Sequence, residues 1–263
     1  MSGPSTHWQG EPVSVWRALW GVAHVEAWER IGSTNDRALE LLESAARGGK
    51  DAAAARGAVV VLAEEQTAGR GRRGARWHSA PGAGLWMSVG LRGTAAAHLP
   101  LRVGLAAAQA LEAVAPGARV GIKWPNDLVI GGRKVGGVLC ESAPGGVVAG
   151  VGINLAAPPG GWPEGVEGLA TSLQDEGFKP VRRSDLAGRI SRGVARLADD
   201  LGAPLGEAER AALAARDVLA GREVVTEEHG RGTARGIDPE GALLLERPDG
   251  SCVRVLAGSV RLA

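Results

Sequence analysis

Tyrosine is missing from this 263-residue sequence, phenylalanine occurs once, and cysteine and methionine occur twice each. Alongside abundant Ala, Gly and Arg, the shortage of aromatics other than Trp reads as a compositional bias without functional meaning. Cys140 and Cys252 lie more than a hundred residues apart, in no metal-ligand spacing. That excludes a cysteine metal site and describes two incidental thiols in a reduced compartment. No apolar run approaches the roughly 20 residues of a membrane span. The start, MSGPSTHWQGEP, has neither the basic nor the apolar stretch of a signal peptide, so a cytoplasmic protein is expected. A net charge of +1 argues against a dedicated nucleic-acid binder. A hydrophobic fraction of 44% excludes a disordered chain, and no internal repeat is present.

Ser33-Thr34-Asn35-Asp36 offers helix caps ahead of Ala38, Leu39, Leu42 and Ala45 at helical spacing, with Gly48-Gly49 as the stop. A small-residue loop leads to an apolar run, 58–63, that predicts a buried strand, and 85–89 predicts another. Leu101, Leu105, Ala108 and Leu111 mark a helix ended by Pro116-Gly117. Strand segments at 119–123, 128–130, 134–141 and 147–155 follow, with Gly131-Gly132 and Gly145-Gly146 at hairpin turns. Strands one hairpin apart run antiparallel, so a doubly wound parallel sheet is excluded. After a Pro- and Gly-rich loop over 156–168, Ser184 opens a helix through Leu186, Ile190, Val194, Leu197 and Leu201, and 207–219 makes another. From Gly221 only short strands remain, at 223–226, 232–237, 242–246, 252–256 and 258–262. These predict a small SH3-like barrel. The expected division is an N-terminal extension over 1–27 with a disordered start, a main domain over 28–218 and a barrel over 219–263.

Gly69-Arg70-Gly71-Arg72-Arg73-Gly74 satisfies G-x-G-x-x-G, but no helix follows. The next carboxylate after Glu65 is Glu112, too far on to hold a ribose, so the dinucleotide-binding reading fails. Four arginines fall within seven residues, 70–76, in a stretch from Gln66 to Leu111 that has no acid. Glycines free backbone N–H groups, and guanidinium forks match phosphate or carboxylate. Such a loop would repel itself, so its ordered form is expected to contain an anion. A solvated basic loop touching RNA is the other reading.

Lys123-Trp124-Pro125-Asn126-Asp127 is a strand–turn–strand junction whose polar residues fit either an ordinary turn or a ligand site. Lys134 then opens a strand carrying Gly136-Gly137, paired glycines of the kind that let a ligand approach. Gly150-Val151-Gly152-Ile153-Asn154 repeats the pattern, with Asn154 as a strand-end cap or a ligand donor.

In this order, these segments resemble the catalytic domain of biotin protein ligases. The resemblance runs from about residue 28 to the C-terminus and includes Ser33-Thr34-Asn35, Glu65 to Gly74, Trp77, 123–127, Arg133 to Gly137, 150–155, Ala170 to Leu173 and 236–244. It implies an α+β fold with a mixed, largely antiparallel sheet, packed helices and the SH3-like barrel. It implies that biotin and Mg²⁺-bound ATP form biotinyl-5′-AMP, whose acyl group passes to a lysine of a biotin carboxyl carrier domain. That domain would belong to an acyl-CoA or pyruvate carboxylase. By motif position, Arg70 and Lys134 would carry catalytic charge, and Ser33, Thr34, Asn35, Gln66, Arg70, Gly71, Arg72 and Lys134 would bind biotin. Arg70, Arg72, Trp77, Asn126, Asp127, Lys134 and Asn154 would face ATP, with Asp127 offering oxygen to Mg²⁺. Roughly 27 residues precede the match, about half or less of what the family's DNA-binding domain needs, so no DNA binding is expected. The family's C-terminal domain can lend a basic residue to the nucleotide, and Arg254 and Arg261 are the candidates. The nearest rival is a lipoate or octanoate ligase or transferase of the same fold, against which the arginine loop and the 123–127 run favour biotin.

Overall fold

The computed structural model describes residues 3–48 and 57–263. Gly49 of the expected helix stop and the small-residue loop through 56 lie outside the described residues. Strands are β1 (His7–Trp8), β2 (Glu11–Pro12), β3 (His24–Ile31), β4 (Val59–Gln66), β5 (Gly84–Leu91), β6 (Gly121–Lys123), β7 (Asp127–Ile130), β8 (Arg133–Ala143) and β9 (Gly146–Asn154). Helices are α1 (Val13–Trp20), α2 (Thr34–Ala46), α3 (Leu99–Val114), α4 (Arg183–Ala195) and α5 (Glu207–Ala214).

Seven strands form one sheet in the order β3-β4-β5-β9-β8-β7-β6. The tight turns at 131–132 and 145–146 force antiparallel neighbours, and β3–β4, joined across α2, is the parallel pair. The sheet is buried on both faces, which is why β4 and β5 read as continuous apolar runs rather than alternating ones. On one face α2 packs Ala38, Leu41 and Leu42 onto Val59, Val61 and Val148. The other face carries α3 and α4 over the larger core, including Leu101, Leu111, Leu186 and Ile190.

Two expectations change here. The polar start, read as disordered, folds from residue 5: Ser5 N donates to Ala27 O at 2.7 Å and β1 pairs with β2. Trp8 is buried, stands edge-on to Trp20 at 6.0 Å, and accepts the Trp16 indole N–H on its carbonyl at 2.7 Å. Indole burial supplies the driving force that the polar composition concealed. Second, no side chain of the Ser33 segment caps α2. Gln66 at the end of β4 does so instead, its Oε1 accepting from Thr34 N at 2.9 Å and from Thr34 Oγ1 at 3.0 Å.

The remaining strands are β10 (Glu223–Thr226), β11 (Gly230–Ile237), β12 (Leu243–Glu246), β13 (Cys252–Val255) and β14 (Val260–Leu262). They form an antiparallel sheet ordered β13-β12-β11-β10-β14, consistent with a small barrel. Leu219, Val224, Ala234 and Leu243 belong to the same buried cluster as the large sheet. Among the described residues, no helix is long and apolar enough to cross a membrane.

Candidate active site

A cavity of about 340 Å³ opens where the N-terminus of α2, the arginine loop, the β6–β7 turn, the glycines of β8 and β9 and the end of the small sheet meet. Its floor is made by missing side chains. A Cβ at Gly150 would strike the Asn35 carboxamide, and one at Gly152 would strike the Trp77 ring. The alternate glycines of β9 therefore make room for Asn35 and Trp77 as much as for a ligand.

One group of side chains is hydrogen-bonded end to end. Gln66 Nε2 donates to Ser79 Oγ at 2.8 Å while its Oε1 holds Thr34. Ser88 Oγ lies 2.7 Å from Thr34 Oγ1 and donates to Asn35 Oδ1 at 2.5 Å. Asn35 Nδ2 donates to Glu141 Oε2 at 2.6 Å and to Leu139 O at 3.2 Å, which fixes which way the amide faces. Ser33, Thr34, Asn35 and Ser88 are all buried, so this is a preorganised set of polar groups rather than a solvated surface.

The second group carries charge. Lys134 Nζ pairs with Asp127 Oδ1 at 2.6 Å and stands 5.3 Å above the Trp77 ring centroid. Arg72 Nη1 donates to Asn126 Oδ1 at 3.4 Å and to Gly258 O at 3.2 Å, while Asn126 Nδ2 is held by Val138 O at 2.9 Å. Burial lowers the Arg72 pKa, with Arg73 adding to the effect and Asp127 opposing it. Among the described residues Arg72 has no carboxylate within ion-pair distance. Its charge stays available in a partly desolvated site, where it acts strongly on an anion.

Arg70 and Arg73 are neutralised from within the chain, which corrects the expectation that an anion must order the loop. Arg70 makes a two-pronged contact with Asp36 at 2.8 and 2.6 Å and reaches both Glu141 oxygens at 3.1 Å. The Asp36 hydrogen bonds raise the Arg70 pKa further above its already basic value. Arg73, at φ 58°, donates to Glu227 Oε1 at 2.6 Å and Ser259 Oγ at 3.0 Å. Arg70 pairs with Arg76 across an antiparallel bridge, Gly71 N donates to Ala75 O at 2.7 Å, and a short 3₁₀ turn spans Arg72–Gly74. Two of the four arginines in the acid-free run, Arg70 and Arg73, are thus balanced by acids distant in the chain.

Of the sequence-predicted residues, Ser33, Thr34, Asn35, Gln66, Arg70, Gly71, Arg72, Trp77, Asn126, Asp127 and Lys134 all line this cavity. Asn154 does not. Buried at the end of β9, it donates to Thr171 O at 3.0 Å and accepts from Leu173 N. Thr171 N in turn donates to Lys134 O at 2.9 Å, so Asn154 and the 170–173 segment brace the strand that presents Lys134. The two C-terminal arginines differ in position. Arg261 lines the cavity, whereas Arg254 is tied to Asp238 at 2.6 Å and Glu240 at 3.3 Å. Sequence reading missed Ser88, Glu141, Gly258 and Ser259, and took Asp36 only as a cap. Ser88 alone left a trace, a lone hydroxyl inside the apolar strand 85–89. Burial pushes the Cys140 thiol up to about 12, which fits a core residue and no nucleophile.

The chain is similar to known proteins over most of its length. Residues 29–157 match the Biotin/lipoate A/B protein ligase family, and residues 221–262 match the Biotin protein ligase C terminal domain. The chain is 38% identical over 262 residues to a biotin–[acetyl-CoA-carboxylase] ligase of Mycobacterium tuberculosis, covering 94% of this chain and 90% of that protein. It is 39% identical over 238 residues to the enzyme of the same name from Paracoccus denitrificans, covering 84% and 93%. The fold superposes on a biotin protein ligase from Aquifex aeolicus in complex with biotin and ATP with TM-score 0.73 and 26% identity. That superposition covers 91% of this chain and 99% of the other.

Proposed function

The chain belongs to the biotin/lipoate A/B protein ligase family, and from that membership we propose that it adenylates biotin and transfers it to a carrier lysine. The observation that carries this reading is one cavity holding both a neutral hydrogen-bonding cluster and a cationic one. Thr34, Asn35, Gln66 and Ser33 suit the uncharged ureido head of biotin. Lys134 and Arg72, with Arg261 from the small sheet, suit two anions that must meet at phosphorus.

In the first half-reaction a biotin carboxylate oxygen attacks the α-phosphate, an O–P bond forms, and pyrophosphate leaves. Negative charge gathers on the phosphoryl oxygens, and preorganised cations there stabilise the transition state. Lys134 is held for this by Asp127 and by the Trp77 face. Arg70, already matched by two carboxylates, serves chiefly to anchor the loop against α2 and β8. In the second half-reaction the carrier amine attacks the acyl carbon, an amide forms and AMP leaves. The reading takes the carrier domain of acetyl-CoA carboxylase as acceptor, as the names of the relatives indicate; another carboxylase's carrier domain is a further candidate.

Magnesium arrives with ATP as part of the substrate. Among the described residues no cluster of three acidic, His or Cys side chains could hold a resident ion. The lone Asp127 carboxylate fits an ion bound mainly by phosphates and water. Pyrophosphate release that needs both biotin and ATP tests the proposal, with lipoate offered in parallel. Release with lipoate but not biotin would overturn it.

A further inference from the structure

Arg73 takes no part in the chemistry just described, yet it has two side-chain partners in the small sheet. It stands at positive φ and spans from the main domain to the small sheet, reaching Glu227 in the β10–β11 turn and Ser259 just before β14. Its neighbour Arg72 reaches the adjacent Gly258 carbonyl. Two successive loop residues therefore bind the adjacent residues Gly258 and Ser259 of the small sheet, and Gly258 to Arg261 also line the cavity. The loop is tied to the main domain by Arg70, at its other end, and by Arg72 through Asn126.

We propose that Glu227 is a positioning residue: through Arg73 it latches the arginine loop onto the C-terminal sheet and so holds the reactive adenylate inside the site. The inference rests on the biotin ligase reading for its consequence but not for its geometry. A mixed anhydride that escapes acylates any exposed amine, so its retention depends on how much of the time the loop is closed. Glu227 and Arg73 are both about half exposed, at 47% and 56%. An exposed pair of this kind contributes modestly and is screened by salt. Loss of the latch should therefore raise loop opening by about two- to five-fold, the range expected for a surface ion pair. It should leave adenylation at saturating substrate unchanged, because Glu227 does not line the cavity.

The experiment compares the parent with Glu227→Gln, Arg73→Glu and the double swap Arg73→Glu/Glu227→Arg. Two quantities are read: tryptic cleavage after Arg70 or Arg76, arginines that every variant keeps, without substrates, and biotin on added albumin per pyrophosphate released. Glu227→Gln should raise both by about two- to five-fold, the double swap should bring both back toward the parent, and approximately 1 M NaCl should erase the difference between parent and Glu227→Gln. Rescue by the swap is what a merely structural role for either residue would not produce. Cleavage and leakage in Glu227→Gln equal to the parent's, or a double swap no better than Arg73→Glu, would overturn the latch. Pyrophosphate release by the parent checks the enzymatic reading separately, and the cleavage arm decides the latch whatever that check gives.

Discussion

Lys134 and Ser88 mark the two ways a single residue matters in this site. On the proposed reading, Lys134 presents a charge that is most valuable when the phosphorus is five-coordinate, so its removal should fall on the transition state rather than on biotin binding. Lys134→Ala is expected to lower adenylation by roughly 10²–10³-fold while biotin affinity by calorimetry stays within a few-fold. Normal adenylation with lost biotin binding would reverse the assignment. Ser88 does not line the cavity, but its hydroxyl is the proton source for Asn35 Oδ1 and neighbours Thr34. Without it a fully buried amide oxygen loses its donor, at a cost of about 1–3 kcal/mol. Ser88→Ala should accordingly raise the KM for biotin by roughly ten-fold with kcat near the parent's, as one buried hydrogen bond lost from the binding network would do. An unchanged KM would show that the Thr34–Asn35 pair orients itself. The site was legible from sequence where residues sit in runs, as in 33–35, 69–74 and 123–127. It was illegible where a contact joins residues far apart in the chain, as Arg70 with Glu141 does. Spacing cannot reveal which acid neutralises which arginine.

The elements repeat that contrast. Strands β4, β5, β8 and β9 were legible because their apolar runs and glycine turns are local signals. Strand β3 was not, since Glu26 and Arg30 interrupt its pattern. Glu26 is tolerated there, nearly buried, because Arg37 on α2 meets it with two bonds of 2.8 Å and Trp28 and His24 add more. Burial pushes its pKa up, but the Arg37 and His24 hydrogen bonds outweigh that and bring it from 4.5 to about 2. A depressed carboxylate stabilises the fold above its unfolded value and loses that contribution as pH falls toward the folded one. The stability gap between the parent and Glu26→Gln should therefore be full above pH 4.5 and close as pH falls toward about 2, measured by denaturant titration at stepped pH. A gap independent of pH would place the burden on packing instead. On β9, Gly150→Ala puts a methyl into the Asn35 carboxamide. Asn35 must then leave Glu141 and Ser88, so biotin affinity should drop by about ten-fold or more, while thermal stability falls only as an overpacked site does, about 1–3 kcal/mol. Parental affinity would mean the strand shifts aside.

At the scale of the molecule, the change of pattern at Gly221 suggested a separate small domain, and the strands came out where short runs and Gly turns placed them. What the pattern could not convey is how the two parts share an interior. Trp124, in the wall of the site, is buried and donates its indole N–H to Gly241 O at 3.0 Å, across to the small sheet. Leu213 and Leu219 continue the same apolar cluster from α5 into Val224 and Ala234. Strands whose buried side depends on another layer gain little by staying folded when that layer melts. The chain should accordingly unfold in a single calorimetric transition, with calorimetric and van't Hoff enthalpies in agreement. Leu219 is fully buried at the junction. Leu219→Ala leaves a cavity that costs about 2–5 kcal/mol, which for a chain of this size lowers Tm by about 4–20 °C. The whole transition should move down together, with ellipticity and Trp fluorescence tracking each other. If the variant instead splits into an early and a late transition, the small sheet is an independent folding unit and the shared core does not couple it to the site.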